Sequence, residues 1–158
     1  LGLAQRMLAV LPMILGAVSA VHAREFALAG PARAHLRQAR RQTRLFALPA
    51  LVALLPAIFL VGRLVPALPG FELVAVCFAI GQVANVWFGP LSEFLIWSSR
   101  PVEELVSHAS GLSLFCVLAA LLTGFAGLGA AGVALSWSAG TFFRKTRNHR
   151  LIFYNTKG

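Results

Sequence analysis

The sequence predicts an all-α, polytopic membrane protein of about five transmembrane helices, and three observations predict it. Of the 158 residues, 58% are hydrophobic and only 12% charged, with a mean hydropathy of +0.78. That is too little polar sequence to surface a soluble domain of this size. Apolar runs long enough to cross a bilayer alternate with short stretches rich in arginine or in proline and glycine. The lysines and arginines are also sorted: twelve fall in alternate connections and the tail, whereas the intervening connections hold only Arg63. Such asymmetry places the arginine-rich side in the cytoplasm, with the amino end outside and the carboxyl end inside. The net charge of +9 would suit nucleic acid if it covered a soluble face. Confined to two blocks that border apolar runs, it reads as topology, and nucleic acid is not expected as a partner.

The first span covers residues 2–22, with Pro12 as a kink and Arg6 within it. A rival reading makes Arg6 a basic n-region, Met7 to Ala20 an apolar h-region and Val21-His22-Ala23 a small-x-small cleavage site. The arginine cluster that follows tends to stay in the cytoplasm and favours the membrane helix. Residues 24–44 then form a cytoplasmic loop. Gly30 and Pro31 suit a helix cap and first position, and Arg33, Arg37, Arg40 and Arg44 follow at intervals of four, three and four, with Arg41 in the same block. Ala32, Leu36, Ala39 and Thr43 make a weakly apolar stripe beside them. The expected loop helix lies along the membrane surface, its arginines among the headgroups of membrane lipids.

The second span, 45–62, gives about 27 Å of helix at 1.5 Å per residue and carries Pro49 and Pro56, which a packed membrane helix tolerates. A short turn with Pro66, Pro69 and Gly70 leads to the third and longest span, 72–98. There Gln82, Asn85, Gly89 and Glu93 follow at spacings of three, four and four on one face, and Gly89-Pro90 marks a bend. Polar groups at such depth should face protein or water. Arg100 to Glu104 reads as an inner loop and helix start, with proline early and acids in the first turn. The fourth span is 106–126. The fifth, 128–143, repeats Gly132, Ser136 and Gly140 every four residues, a seam for close helix packing. Residues 144–158 form a basic cytoplasmic tail.

Cys77 and Cys116 each lie inside an apolar run, as buried thiols rather than a disulfide or zinc framework. Aspartate is absent, no serine, histidine and acid are grouped, and the glycines from 127 to 132 sit where a membrane helix begins rather than after a strand. No enzymatic activity, cofactor or metal is expected. His22 and His108 fall near inner helix ends and read as solvated interface histidines, with His108 four residues after Glu104 on one face.

Several local motifs, in order, resemble the carboxyl-terminal lobe of lipid-linked oligosaccharide flippases, the polysaccharide and O-antigen transporters of the multidrug, oligosaccharidyl-lipid and polysaccharide exporter superfamily. They are Leu3-Ala4-Gln5-Arg6, the basic stretch ending Ala39-Arg40-Arg41-Gln42-Thr43-Arg44-Leu45, and Gly62-Arg63. Ile80-Gly81-Gln82, Asn85 and Gly89-Pro90 follow in the long helix, and Gly127-Leu128-Gly129-Ala130-Ala131 opens the last one. The resemblance implies two six-helix bundles facing a central cavity, of which this chain supplies the last five helices. It also implies a fragment that works with a missing amino-terminal lobe or a partner chain, and a polyprenyl-pyrophosphate-linked oligosaccharide as the molecule moved.

A pyrophosphate-linked sugar requires cations and hydrogen-bond donors shielded from lipid. Arg6, the one basic residue within a span, is the first candidate, against the alternative of an anchor at the outer interface. Gln82 and Asn85 are candidates for sugar contact or for bonds between helices. Glu93 is a candidate for proton coupling or for pairing with a loop arginine. Two other functions stay open: a multidrug or cation-coupled exporter of the same superfamily, and a non-transporting truncated or accessory subunit that docks through the Gly132, Ser136, Gly140 seam.

Overall fold

The computed structural model describes residues 6, 9–29, 32–64 and 70–154. Among them the chain is helical throughout: α1 Val10–Ala29, α2 Arg33–Leu64, α3 Phe71–Phe88, α4 Leu91–Trp97, α5 Pro101–Ala120, a π-helical turn Leu121–Phe125, and α6 Gly129–Phe153. Three stretches are long and apolar enough to cross a membrane, namely α2, α3, and α5 with its π-helical extension. Half of the most apolar window of α3 is buried within the chain, against 17% for α2 and 11% for α5. Thus α3 is the central helix. On α2 and α5 side chains such as Val52, Phe59, Leu112 and Val117 face outward, an arrangement that water would penalise and lipid tails would not.

Three boundaries differ from the sequence reading, each for a physical reason. Arg33 to Arg44 is not a separate surface helix but the first third of α2, which runs unbroken into the apolar span. Arginine is a good helix former, and Leu36, Ala39, Thr43, Ala47 and Leu51 continue one buried face across the polar-to-apolar change. Arg24 and Glu25 lie within α1 rather than in a loop, and Val21-His22-Ala23 falls in its interior. The expected basic tail is likewise helical to Phe153, with Lys145, Asn148 and Ile152 buried at intervals of three and four. Of the tail, 155–158 lies outside the described residues, as do Leu3-Ala4-Gln5, Gly30-Pro31, and Pro66 and Pro69.

The apolar residues form two cores. One gathers Leu51, Ile58, Phe71, Val74 and Ala134 from α2, α3 and α6. The other gathers Phe26, Leu36, Leu91, Leu95 and Ile152 from α1, α2, α4 and α6, with Phe26 edge-on to Phe94 at 5.6 Å between ring centroids. Between them lie the buried polar residues Thr43 on α2 and Lys145 and Asn148 on α6, while the buried Gln82 of α3 sits within the first core, between Ala79 and Val86. His22 ties α1 to α2 beside Thr43. It is fully buried, donates from Nδ1 to Glu25 at 2.6 Å, and holds Nε2 at 2.7 Å from the Gln42 side-chain oxygen. The expectation of a solvated histidine therefore fails at His22, because Gln42 comes from the helix that a loop had been expected to replace.

The small-residue seam of α6 is occupied within the chain. A Cβ on Gly140 would stand 2.6 Å from the Gly111 carbonyl oxygen, one on Gly111 would stand 2.9 Å from that of Gly140, and one on Gly132 would meet Leu122 at 3.0 Å. Ser136 is fully buried and donates to the Gly132 carbonyl at 2.7 Å. The seam therefore packs within the chain, against α5 and its π-helical end. The contact is backbone against backbone and cannot yield by rotating a side chain. Gly140→Ala is accordingly expected to destabilise the fold by about 1–3 kcal/mol, measured as a lower midpoint in detergent thermal unfolding. An unchanged midpoint would show that α5 and α6 are free to separate.

Candidate functional site

Glycine and proline in succession break the central helix. Gly89 takes φ 67° and ψ −154°, a conformation open to glycine alone among the residues that could stand there, and Pro90 supplies no N–H to continue the ladder. Helix α3 therefore ends at Phe88 and α4 begins at Leu91, leaving carbonyls at the break without their usual helical partners. Cations from the two flanking helices take them up. Arg44 of α2 donates to the Trp87 carbonyl from Nε at 3.2 Å and from a terminal nitrogen at 2.9 Å, and its guanidinium lies 4.2 Å from the centroid of the Trp87 ring. Lys145 of α6 donates from Nζ to the Gly89 carbonyl at 3.0 Å, which also accepts from the Leu91 N–H at 2.9 Å. Both cations sit at the carboxyl end of α3, where the helix dipole favours positive charge.

A cavity of about 250 Å³ opens beside the break, walled by Ser19, Thr43, Asn85, Glu93, Arg144 and Lys145 together with apolar residues of α1. A second, of about 210 Å³, shares Asn85 and Arg144 and adds His108, Phe115 and Trp137. A third, of about 320 Å³, shares Phe115 and Trp137 and reaches Gln82 and Phe78. The face expected from the spacing of Gln82, Asn85, Gly89 and Glu93 thus lines these adjoining cavities from one end to the other. Asn85 donates to the Gln82 side-chain oxygen at 3.1 Å, a bond along α3 rather than between helices. It leaves the Asn85 oxygen and the Gln82 amide nitrogen available to the cavities. Glu93 is half-buried, and its Oε2 is buried with no hydrogen-bond partner among the described residues.

Arg6 is exposed and lines none of these cavities. The cations that do line them are Arg144 and Lys145, which the sequence reading had assigned to a solvated tail. Arg144 donates to His108 Nδ1 across α5 and α6 at 2.7 Å, and Asn148 donates to Glu104. Glu104 and His108 thus each bond to α6 instead of to one another. Residues 132, 136, 140 and 144 continue the four-residue repeat of the seam, so the signal that Arg144 faces inward was present in the spacing and was masked by its charge. Arg33, Arg37, Arg40, Arg41 and Arg44 lie on α2. Arg33 donates to the Ile152 carbonyl at 3.1 Å, and the other four border a separate concavity.

Electrostatics distinguishes the two cations at the break. Lys145 is only 6% exposed, with Glu93 and Arg144 in the same cavity wall. Taking its ammonium out of water is costly, and the single Gly89 carbonyl contact offsets only part of that cost. Arg44 is partly exposed, stacked and doubly hydrogen-bonded. Opposite signs follow for their replacement. Arg44→Ala is expected to lower stability by about 1–2 kcal/mol through the lost ring contact and the unpaired Trp87 carbonyl, whereas Lys145→Met leaves the unfolding midpoint unchanged or raises it. Comparison of both midpoints in one detergent checks this, and a large loss for Lys145→Met would make that residue a structural pin.

His149 lies against Phe88 and Phe153, at 5.7 and 4.7 Å between centroids. Burial, and secondarily Arg40, push its pKa down. With the folded value below the unfolded one, the unfolded chain takes up the proton first as pH falls, so stability is lost on going down from about 6.5. The wild-type unfolding midpoint should fall between pH 7.5 and pH 5 by more than that of His149→Phe. Equal falls would place the titration elsewhere.

Comparisons with protein-family models, with curated proteins and with solved structures find no match to this chain.

Proposed function

We propose that the chain forms part of a membrane transporter that carries a lipid-linked oligosaccharide across a bacterial inner membrane, as in polysaccharide or O-antigen biosynthesis. On this reading the apolar helices and the first and last segments make five spans, with the amino end outside and the carboxyl end in the cytoplasm. The observation that carries it is the cavity at the broken helix, where Arg144, Lys145 and Asn85 converge. A pyrophosphate needs cations held away from lipid, and a sugar needs amide donors and acceptors beside aromatic surface. The adjoining cavities offer both, with Gln82, Asn85 and Trp137 next to the cation pair. A broken helix whose freed backbone meets a polar cavity is also the arrangement in which irregular backbone is tolerated at membrane depth.

Lys145 is a better candidate than Arg6 for the phosphate contact, because it is buried in the cavity wall, where an anion would offset the desolvation of its ammonium, whereas Arg6 is exposed and lines none of the cavities. Glu93 beside it would limit affinity and favour release. The test is the appearance of lectin-accessible lipid-linked sugar at the outer leaflet of vesicles carrying the protein as the cell makes it. Lys145→Met and Arg144→Gln are expected to slow this by about tenfold each, with Ser113→Ala on the outer face of α5 unaffected. Wild-type crossing no faster than in vesicles lacking the protein would end the transport reading. Variants that cross at the wild-type rate would move the substrate path away from this cavity.

A further inference from the structure

Four arginines of α2, Arg37, Arg40, Arg41 and Arg44, border with Leu45 a concavity of about 400 Å³ that is separate from the cavities at the helix break. The chain has five carboxylate side chains, all glutamate. The ion pairs among the described residues, His22–Glu25 and Arg100–Glu103, engage none of these arginines. Like charges three and four residues apart on a helix repel, yet two of the four are held in place rather than splayed outward. Arg44 is fixed by the Trp87 ring and carbonyl. Arg40 lies so close to Gly89 that a Cβ there would stand 2.9 Å from Arg40 Cγ, and its guanidinium is 5.8 Å from the Phe153 ring centroid. Arg40 Nε is buried with no hydrogen-bond partner among the described residues. The concavity thus presents two held and two exposed guanidinium groups with no counter-ion among the described residues.

Its position says what kind of anion fits. Leu45 and Phe46, each 61% exposed, open the apolar part of α2 directly beside the arginines, so the concavity stands where lipid tails give way to headgroups. Its volume is about thirteen times the ~30 Å³ that a water occupies, enough for a phosphoryl group with part of its headgroup. The guanidinium fork matches paired phosphate oxygens. We propose that this concavity is a discrete binding site for the phosphate of an anionic lipid headgroup. It differs from the diffuse surface attraction that a helix lying flat would give, and it stands independently of the transport reading.

Native mass spectrometry of the full chain in detergent, titrated with phosphatidic acid, phosphatidylcholine or inorganic pyrophosphate, tests it. Phosphatidic acid is expected to bind in preference to phosphatidylcholine. Arg37→Gln with Arg41→Gln, two exposed side chains without hydrogen bonds among the described residues, should weaken that binding by about tenfold. Arg24→Gln with Arg63→Gln, which removes equal charge elsewhere, should change it by less than about twofold. Arg41→Lys, which keeps the charge and removes the fork, should lose about threefold and carries the test if the first double variant does not fold. Equal binding of the two lipids, or equal loss in the two double variants, overturns the site. Pyrophosphate that displaces the lipid at comparable concentration makes the ligand a free phosphate and overturns the lipid assignment.

Discussion

A break in the central helix sets the terms for everything around it. Ending α3 at Phe88 frees carbonyls that water would satisfy at a protein surface and that hydrocarbon cannot. The Gly89 carbonyl keeps the Leu91 N–H as well, and donors from neighbouring helices meet the freed groups at one level. Arg44 of α2 and Lys145 of α6 do so from opposite sides. Their side chains are long enough to reach the break only if both helices run past it, so α2 must extend back through its arginines and α6 must extend forward through the supposed tail. The two unexpected helix continuations are one consequence of one constraint. Gly89 contributes a second time by lacking a side chain where Arg40 passes.

The same constraint divides the interior. Apolar side chains collect on either side of the break, and the polar residues collect at its level. A layer of that kind is poorly packed by design of its chemistry, because charged and amide groups cannot interdigitate as leucine and isoleucine do. Cavities form there for that reason. Close approach elsewhere compensates: α5 and α6 meet through Gly111 and Gly140 with backbone almost touching, so the helices that wall the cavities are fixed even though the space between them is open.

How much of this was legible in the sequence depended on whether charge and periodicity agreed. Gln82, Asn85, Gly89 and Glu93 stand in an apolar helix, where a polar face of constant spacing has no other source, and that face lines the cavities. The Gly132, Ser136, Gly140 spacing was legible as a seam, but its partner was not, since a seam carries no mark of which helix covers it. Charge misled where it opposed periodicity. Arg33 to Arg44 were expected among lipid headgroups and Arg144 to Arg150 in a cytoplasmic tail, as arginine and lysine are seldom buried, although both stretches keep a buried stripe, Leu36, Ala39 and Thr43 in one and Lys145, Asn148 and Ile152 in the other. Arg6 drew attention as the only cation within an expected span, whereas Arg144 and Lys145, just past the apolar part of α6, line the cavity at the break.

The basic residues consequently have two kinds of role that sequence statistics cannot separate. An arginine at the edge of an apolar helix resists crossing the membrane and fixes orientation wherever its side chain points. Whether it also holds backbone, lines a cavity or faces headgroups depends on which helix lies beside it. Arg44 and Arg41 are three residues apart on one helix, yet the first stacks on Trp87 while the second is exposed. Lys145 and Arg144 are adjacent, and both reach the cavity at the break, one through Gly89 and the other through His108. Topology alone would be served as well by lysines anywhere in these stretches. Burial of Lys145, an ammonium taken out of water beside the broken helix, is what topology does not require, since orientation alone would leave its side chain free to reach water.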